Sequence, residues 1–187
     1  MPMEKIIACD DGKVKKFDQR STLVACISYN EIWPVDIRLN YVHTDGLDAT
    51  SILSYMIKEI ANNNKGIVLL DSITIAGFNL ISLPGLYKLT GFPSIVIYNY
   101  KPSLSRINSA LIPNFGDSDI REKILSILKN SKKIKTNKGI LYIVNWGVNN
   151  DDAKLIINSL QHYSRIPEPL RVAHMIASKL SDVINNF

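Results

Sequence analysis

The sequence lacks the features that mark several protein classes. No apolar run approaches the roughly 18 residues of a membrane span, so no contact with a membrane is expected. The N-terminal stretch MPMEKIIACDDG is apolar for only a few residues before a double aspartate, which is not the pattern of a secretory signal peptide. There is no internal repeat and no linker long enough to divide the chain. We therefore expect one domain over residues 1–187.

Cysteine is also scarce, with only Cys9 and Cys26, each inside an apolar stretch. This usage is typical of buried, reduced core residues in a cytoplasmic protein, and it favours that interpretation over a disulfide or a metal pair. Hydrophobic residues make up 46% of the chain and charged residues 21%. Such a balance is ordinary for a globular protein and too apolar for a disordered one.

The formal net charge of +5 is mild, and its most concentrated source is the stretch LKNSKKIKTNK at 128–138. Five lysines in eleven residues are typical of a solvated helix end and loop. No aromatic residues alternate with them, which makes a surface that tracks nucleic-acid phosphates the weaker interpretation. DNA or RNA is therefore permitted as a partner and not required.

The apolar pattern predicts a layered α/β protein. Three strands precede any helix, over 4–10, 21–30 and 35–44, and this order indicates an antiparallel meander. A helix is predicted over 48–64, with Asp48 as its N-terminal cap. Thereafter apolar strands at 66–71, 93–99 and 139–145 are separated by predicted helices at 78–91, 117–130, 150–163 and 167–186. Such an alternation favours parallel strands with helices on both faces of the sheet.

Aspartates stand where two predicted strands end, Asp10 after KIIAC and Asp71 after IVLL. Ligands of such sheets bind beyond the carboxyl ends of the strands. Two carboxylates ~4 Å apart would repel by about 4 kcal/mol at an effective dielectric near 20. A shared proton or a divalent cation such as Mg²⁺ would remove this penalty. Asp45 and Asp48, in HTDGLDAT, form a third acidic group, although an aspartate at a strand end often serves only a turn or a helix cap.

Near the C-terminus, the stretch IPEPLRVAH at 166–174 predicts the start of a helix. Pro167 and Pro169 fit the first helical turn, where a missing N–H costs little. Arg171 and His174 are three residues apart and share a face. Taken alone, this pattern is typical of a packing helix with a partly buried, hydrogen-bonded histidine.

Five motifs in order, KIIACDDG, TDGLDAT, VLLDSITIAGFN, GFPSIVIY and IPEPLRVAH, resemble the family called domain of unknown function 99, which is related to endonuclease V. The resemblance runs over nearly the whole chain. It implies a ribonuclease H-like mixed sheet, an antiparallel three-strand meander followed by parallel strands, with helices on both faces. It also implies that Asp10 and Asp71 are metal-binding aspartates and that His174 faces the same site. The implied chemistry is phosphodiester hydrolysis with Mg²⁺ or Mn²⁺.

The sequence departs from endonuclease V at several positions. Ile52 stands where the resemblance places a catalytic glutamate, so Asp48, or less favourably Asp45, would have to substitute as catalytic residue and metal ligand. The family lysine falls at Asn99. Lys101, two residues along, and Arg171 are the predicted contacts to nucleic acid. VHTDGLD replaces the proline-tyrosine wedge, so inosine-specific cleavage is not implied.

The leading hypothesis is a magnesium-dependent, endonuclease V-like nuclease acting on phosphodiesters of DNA or RNA, with no base specificity assigned. A nuclease relative that binds nucleic acid without cutting it is the first alternative. A structural or protein-interaction role, in which the aspartates only form turns, is the second.

Overall fold

The computed structural model describes residues 5–14, 20–30 and 33–184, so residue 4 of the first predicted strand and residues 185–186 of the last predicted helix lie outside the described residues. Within these ranges there are nine strands: β1 (Lys5–Asp11), β2 (Ser21–Asn30), β3 (Trp33–His43), β4 (Gly66–Leu70), β5 (Thr74–Ile75), β6 (Asn79–Leu80), β7 (Ser94–Tyr98), β8 (Lys132–Thr136) and β9 (Gly139–Trp146). The same ranges contain six α-helices: α1 (Ala49–Ala61), α2 (Leu83–Thr90), α3 (Leu104–Leu111), α4 (Ser118–Leu125), α5 (Asn150–Leu160) and α6 (Glu168–Ile184). A 3₁₀ turn over Ser126–Asn130 continues α4. None of these helices has the length and apolar character needed to cross a bilayer.

Seven strands form one mixed sheet in the order β3-β2-β1-β4-β7-β9-β8. The predicted antiparallel meander is confirmed, because β1 pairs with β2 and β2 with β3 in antiparallel register. β1, β4 and β7 are parallel neighbours, as predicted. β9 was expected to be parallel, and this is wrong, because β9 runs antiparallel to both β7 and β8. The reason is the additional strand β8, from which the chain reverses into β9 through a tight turn.

Two hydrophobic layers cover the sheet, one on each face. Alternate residues of a strand point to opposite faces, so Ala8 and Leu69 contribute to one layer, while Cys9 and Leu70 contribute to the other. α5 and α6 cover the first face, through Ile157 and its buried neighbours. α1 to α4 cover the second face. All five residues of β4 are buried, as expected of a central strand with helices on both sides.

Some predicted elements have different boundaries. A helix was predicted over 78–91, but α2 begins only at Leu83, with Pro84 in its first turn behind the Ser82 cap. The short strand β6 occupies the start of that range. α3 was not predicted. The lysine-rich stretch was expected to be a helix end and loop, but its centre forms β8, in which buried Ile134 and Thr136 alternate with exposed lysines.

Cys9 and Cys26 are buried as predicted, but the expectation that they are reduced is wrong, because the structure joins them in a disulfide. They lie directly opposite each other in the β1–β2 register, with Cα atoms 4.1 Å apart. The Gly12 N–H donates to the Leu23 carbonyl, so Cys9 and Cys26 fall at the alternate, non-hydrogen-bonded positions of the ladder. Side chains approach each other most closely at such positions.

We predict that the double variant Cys9→Ala/Cys26→Ala loses about 3 kcal/mol of unfolding free energy, because the bridge closes a loop of 17 residues in the unfolded chain. Urea denaturation with and without reductant measures the effect. Reductant should destabilise the wild type and leave the double variant unchanged. If thiol alkylation of unfolded, unreduced wild-type protein labels both cysteines, the bridge does not form in solution.

Candidate metal centre

The parallel register of β1 and β4 sets two aspartates side by side. Cys9 lies opposite Leu70, and the next residue of each strand is Asp10 and Asp71. Both continue the alternation toward the face covered by α6, and their side chains are within hydrogen-bonding reach of each other. Asp10 is only 2% exposed. A buried and a half-buried carboxyl group therefore lie side by side at the carboxyl edge of the sheet.

Burial and mutual repulsion disfavour ionisation of this pair. Burial raises the pKa of Asp10 to about 9, and the negative charges of Asp71 and Asp11 add to the increase. The pKa of Asp71 is also raised, chiefly by burial. In the absence of a cation, these shifts favour a proton held by the pair.

His174 reaches this pair from α6. Its Nδ1 lies 2.7 Å from Oδ2 of Asp10, and 63% of its side chain is exposed. α6 can approach β1 closely because Gly12 has no side chain. A Cβ at Gly12 would collide with the Ser181 hydroxyl and lie 2.9 Å from the Ala177 carbonyl oxygen. The structure thus brings together Asp10, Asp71 and His174, three of the four predicted catalytic residues.

The Asp11 carboxyl turns toward the opposite face of the sheet, as strand alternation predicts, although it stays close enough to Asp10 and Asp71 to interact with them. Its Oδ2 accepts a 2.6 Å hydrogen bond from the Ala76 N–H, in the loop between β5 and β6. Burial raises the pKa of Asp11 to about 6, and the bond from Ala76 opposes that increase. Asp11 thereby anchors a loop on the face opposite to His174.

Asp48 is held by His43 and Asn79. Its Oδ2 lies 2.7 Å from Nδ1 of His43, and its Oδ1 accepts from the Asn79 amide. These hydrogen bonds lower the pKa of Asp48, although partial burial opposes them. Asp48 occupies the N-cap position of α1, but the prediction that it caps the helix is wrong for its side chain, because Asn79 Oδ1 accepts the Ala49 N–H instead.

Asp45 stabilises the neighbouring loop. It adopts a left-handed backbone conformation, with φ of 58°, and its Oδ1 accepts the Phe78 N–H at 2.8 Å. Its backbone N–H donates to the Ala76 carbonyl at 2.8 Å. Asp45 therefore stabilises the segment that follows β5, whereas Asp48 lies at the start of α1.

Sequence reasoning missed Arg121, a buried cation in α4. Its guanidinium donates to Asp117 and to the carbonyl oxygens of Asp45, Gly46 and Phe78, and it stacks 4.3 Å from the centroid of the Phe115 ring. Arg121 fixes the loops that carry the acidic residues. Its only sequence signal was its place in a predicted amphipathic helix.

The two predicted nucleic-acid contacts have different surroundings. Arg171 pairs with Glu168, with Nε and Oε2 2.8 Å apart, and it also contacts the Met175 sulfur. Lys101 is exposed in the segment after β7. Asn99, where the family lysine is expected, accepts a 3.1 Å hydrogen bond from Nε of Arg165.

The chemistry of the paired carboxylates fits a hard divalent cation. Mg²⁺ is commonly bound by one or two carboxylates, with waters and phosphate oxygens completing its shell. In the part of the chain that the structure describes, no group of three or more His, Cys, Asp or Glu side chains is spaced to enclose a metal ion. The residues present therefore fit an open site with two protein ligands, and not a closed protein cage.

We predict that metal-free wild-type protein loses stability as the pH rises from about 4 toward 9. Over this range the unfolded Asp10 is ionised, while its raised pKa of about 9 keeps the folded form protonated. Asp71→Asn removes one buried carboxylate, so it should be more stable than wild type near pH 8 by about 1.4 kcal/mol for each pKa unit relieved. The difference should vanish near pH 4.

Urea denaturation in a chelator measures this pH dependence, and Asp151→Asn, an exposed position in the first turn of α5, is the matched control. Equal pH slopes for wild type and Asp71→Asn would show that the pair is not electrostatically strained.

Solved structures confirm the fold. A protein of unknown function from Archaeoglobus fulgidus superposes with a TM-score of 0.81 at 26% identity, covering 95% of this chain and 98% of that chain. Endonuclease V from Ciona intestinalis, in complex with DNA containing an inosine followed by a ribo-adenosine, superposes with a TM-score of 0.65 at 13% identity, covering 98% and 88% of the two chains. The chain thus has the endonuclease V fold, as the predicted ribonuclease H-like sheet requires.

Sequence comparison extends the likeness to archaeal proteins. A UPF0215 protein of Aeropyrum pernix is 39% identical over 186 residues, covering 95% of this chain and 98% of its own length. One from Pyrococcus horikoshii is 35% identical over 176 residues, covering 93% and 90%. The family model described as endonuclease dU matches residues 3–181. The chain therefore belongs to the endonuclease dU family, which is related to endonuclease V.

Proposed function

We propose that this protein is a metal-dependent nuclease that hydrolyses phosphodiester bonds of nucleic acid. The observation that supports it most strongly is the buried pair Asp10 and Asp71, with His174 hydrogen-bonded to Asp10. Paired carboxylates that repel each other are a common way to bind a divalent cation. The Ciona intestinalis neighbour, which shares the fold, was solved with DNA.

Each residue of the proposed centre has a distinct part. Asp10 and Asp71 hold Mg²⁺ or Mn²⁺, whose contribution is to polarise a phosphate oxygen and to activate a water. Asp10 also fixes the ring of His174 through Nδ1. Because most of that side chain is exposed, Nε2 remains to orient a water or to stabilise the leaving group.

Asp48 is proposed as the third carboxylate, in place of the glutamate that Ile52 replaces. Both candidates accept hydrogen bonds, Asp45 from the Phe78 N–H and Asp48 from His43 and Asn79, and Asp48 is chosen because its pKa is lowered. The bonds from His43 and Asn79 keep Asp48 ionised, which is the form that a metal or a catalytic water would require.

A second candidate function is nucleic-acid binding without cleavage. It is favoured by the absence, among the described residues, of three ligating side chains arranged for a metal. In this case, the strand-end aspartates would keep a shared proton, and the protein would hold a strand without cutting it.

We predict metal-dependent cleavage, and we expect Asp71→Asn to reduce its rate to about 1% of the wild-type rate or less. Losing a residue that only hydrogen-bonds a metal ligand typically costs roughly 10- to 100-fold in activity, and losing a direct ligand should cost more. Labelled single- and double-stranded DNA and RNA, including strands with deoxyuridine or deoxyinosine, are incubated with Mg²⁺ or Mn²⁺. Deoxyuridine is included because of the family's name.

Asp151→Asn is again the control for charge and should cleave like wild type. Cleavage that survives in Asp71→Asn would point to a contaminating nuclease. Binding without products for the wild type would favour the second candidate function.

We further predict that Mn²⁺ raises the thermal stability of the wild type, with a gain of about 2.7 kcal/mol at 100-fold excess over Kd. Asp10→Asn and Asp71→Asn should abolish this gain, and Asp48→Asn should reduce it. Asp45→Asn should lower the stability of the protein and keep the full Mn²⁺ gain. The reverse outcome for Asp45 and Asp48 would exchange their assignments.

A further inference from the structure

An exposed tyrosine lies at the same edge of the sheet as the candidate metal centre. β7 is the parallel neighbour of β4, with Val96 opposite Leu70, so Ile97 is level with Asp71. Tyr100 follows three residues later. Strand spacing and rise place its Cα within roughly 11 Å of that of Asp71, an upper bound because the chain bends at Asn99 and Tyr100 after β7 ends. This separation corresponds to at most about three stacked nucleotides of one strand.

Tyr100 is 79% exposed, so most of this residue faces solvent. The Arg165 guanidinium lies 5.9 Å from the ring centroid. An aromatic ring beside a guanidinium presents a flat surface with an adjacent positive charge.

Arg165 is held in place by several contacts. Its Nε donates to Asn99 and its Nη1 to the Ile140 carbonyl, at 3.1 and 3.3 Å. Its own carbonyl accepts from the Gln161 amide. A Cβ at Gly139 would lie 3.3 Å from Cδ of Arg165, so the glycine leaves room for the arginine stem. The guanidinium is therefore pre-positioned at the end of β7.

Two exposed lysines are close to Tyr100 and Arg165 along the chain. Lys101 follows Tyr100 directly, and Lys138, in the turn between β8 and β9, stands two residues before Ile140, whose carbonyl binds Arg165. Both lysines are exposed. An exposed aromatic ring among cations is the arrangement with which proteins bind single-stranded nucleic acid, because bases stack on the ring and phosphates contact the cations.

We propose that Tyr100 and Arg165 form a stacking platform for an unpaired base of single-stranded DNA or RNA, within about three nucleotides of the scissile phosphate. This rests on the proposed nuclease function, and it assigns the strand a path from Asp71 along the end of β7. Lys101 and Lys138 contact the phosphates on either side of the stacked base.

Binding in a chelator tests the platform separately from cleavage. The probes are a fluorescent strand of about 15 thymidines and an abasic strand of the same length. Tyr100→Ala should weaken thymidine-strand binding roughly ten-fold or more, since stacking contributes about 1–3 kcal/mol per base. Tyr100→Trp should retain binding. Tyr55→Ala, which changes another exposed tyrosine on α1, is the matched control and should bind like wild type.

The abasic strand identifies stacking as the cause. Wild type should bind it more weakly than the thymidine strand, and Tyr100→Ala should show little further loss. An equal loss on both strands, or no difference between Tyr100→Ala and Tyr55→Ala, would overturn the platform, as would a wild type that binds neither strand. Because no metal is present, a failure of cleavage alone leaves these binding results unaffected.

Discussion

The parallel register between β1 and β4 is the constraint on which the candidate site depends. It places Asp10 beside Asp71 at the point where both strands leave the core, and the burial of Asp10 limits the screening of the two carboxylates by water. An isolated pair of this kind would cost the fold free energy whenever both were ionised. The sheet can hold them together because the burial of apolar side chains along β4 stabilises the fold and offsets the free-energy cost of the pair.

The two faces of the sheet carry carboxylates with different roles. Asp10 and Asp11 are consecutive, yet alternation sends Asp10 toward His174 on α6 and Asp11 toward the Ala76 N–H on the opposite face. On that second face, Asp11 and Asp45 accept hydrogen bonds from backbone N–H groups of one loop, and Arg121 donates to the Phe78 carbonyl of the same loop. The acidic residues near the edge of the sheet thus divide into a pair that remains available for ligands and a set that fixes the surrounding loops.

The sequence predicted what depends on local pattern. The meander, the apolar parallel strands and the strand-end aspartates follow from alternation and from where apolar runs stop, and the proline-led helix placed His174. The Cys9–Cys26 bridge and the contacts of Arg121 and Asn79 join residues far apart in the chain, so local pattern carries no signal for them. β8 was missed for a different reason. Its alternation was present in KKIKT, but three lysines concealed it.

Those lysines protect one edge of the sheet from pairing with another chain, and the opposite edge is protected in a different way. β8 and β3 are the two edge strands, whose outward backbone groups could pair with another chain. On β8, Lys132, Lys133 and Lys135 discourage such pairing by their charge. On β3, a register shift interrupts the ladder, and the Asp36 and Asn40 side chains accept the N–H groups of the residues that follow them. Three of the five lysines in the stretch are therefore explained by edge protection, Lys129 lies in the 3₁₀ turn, and Lys138, in the turn beside Arg165, is the one assigned to the proposed path of a nucleic-acid strand.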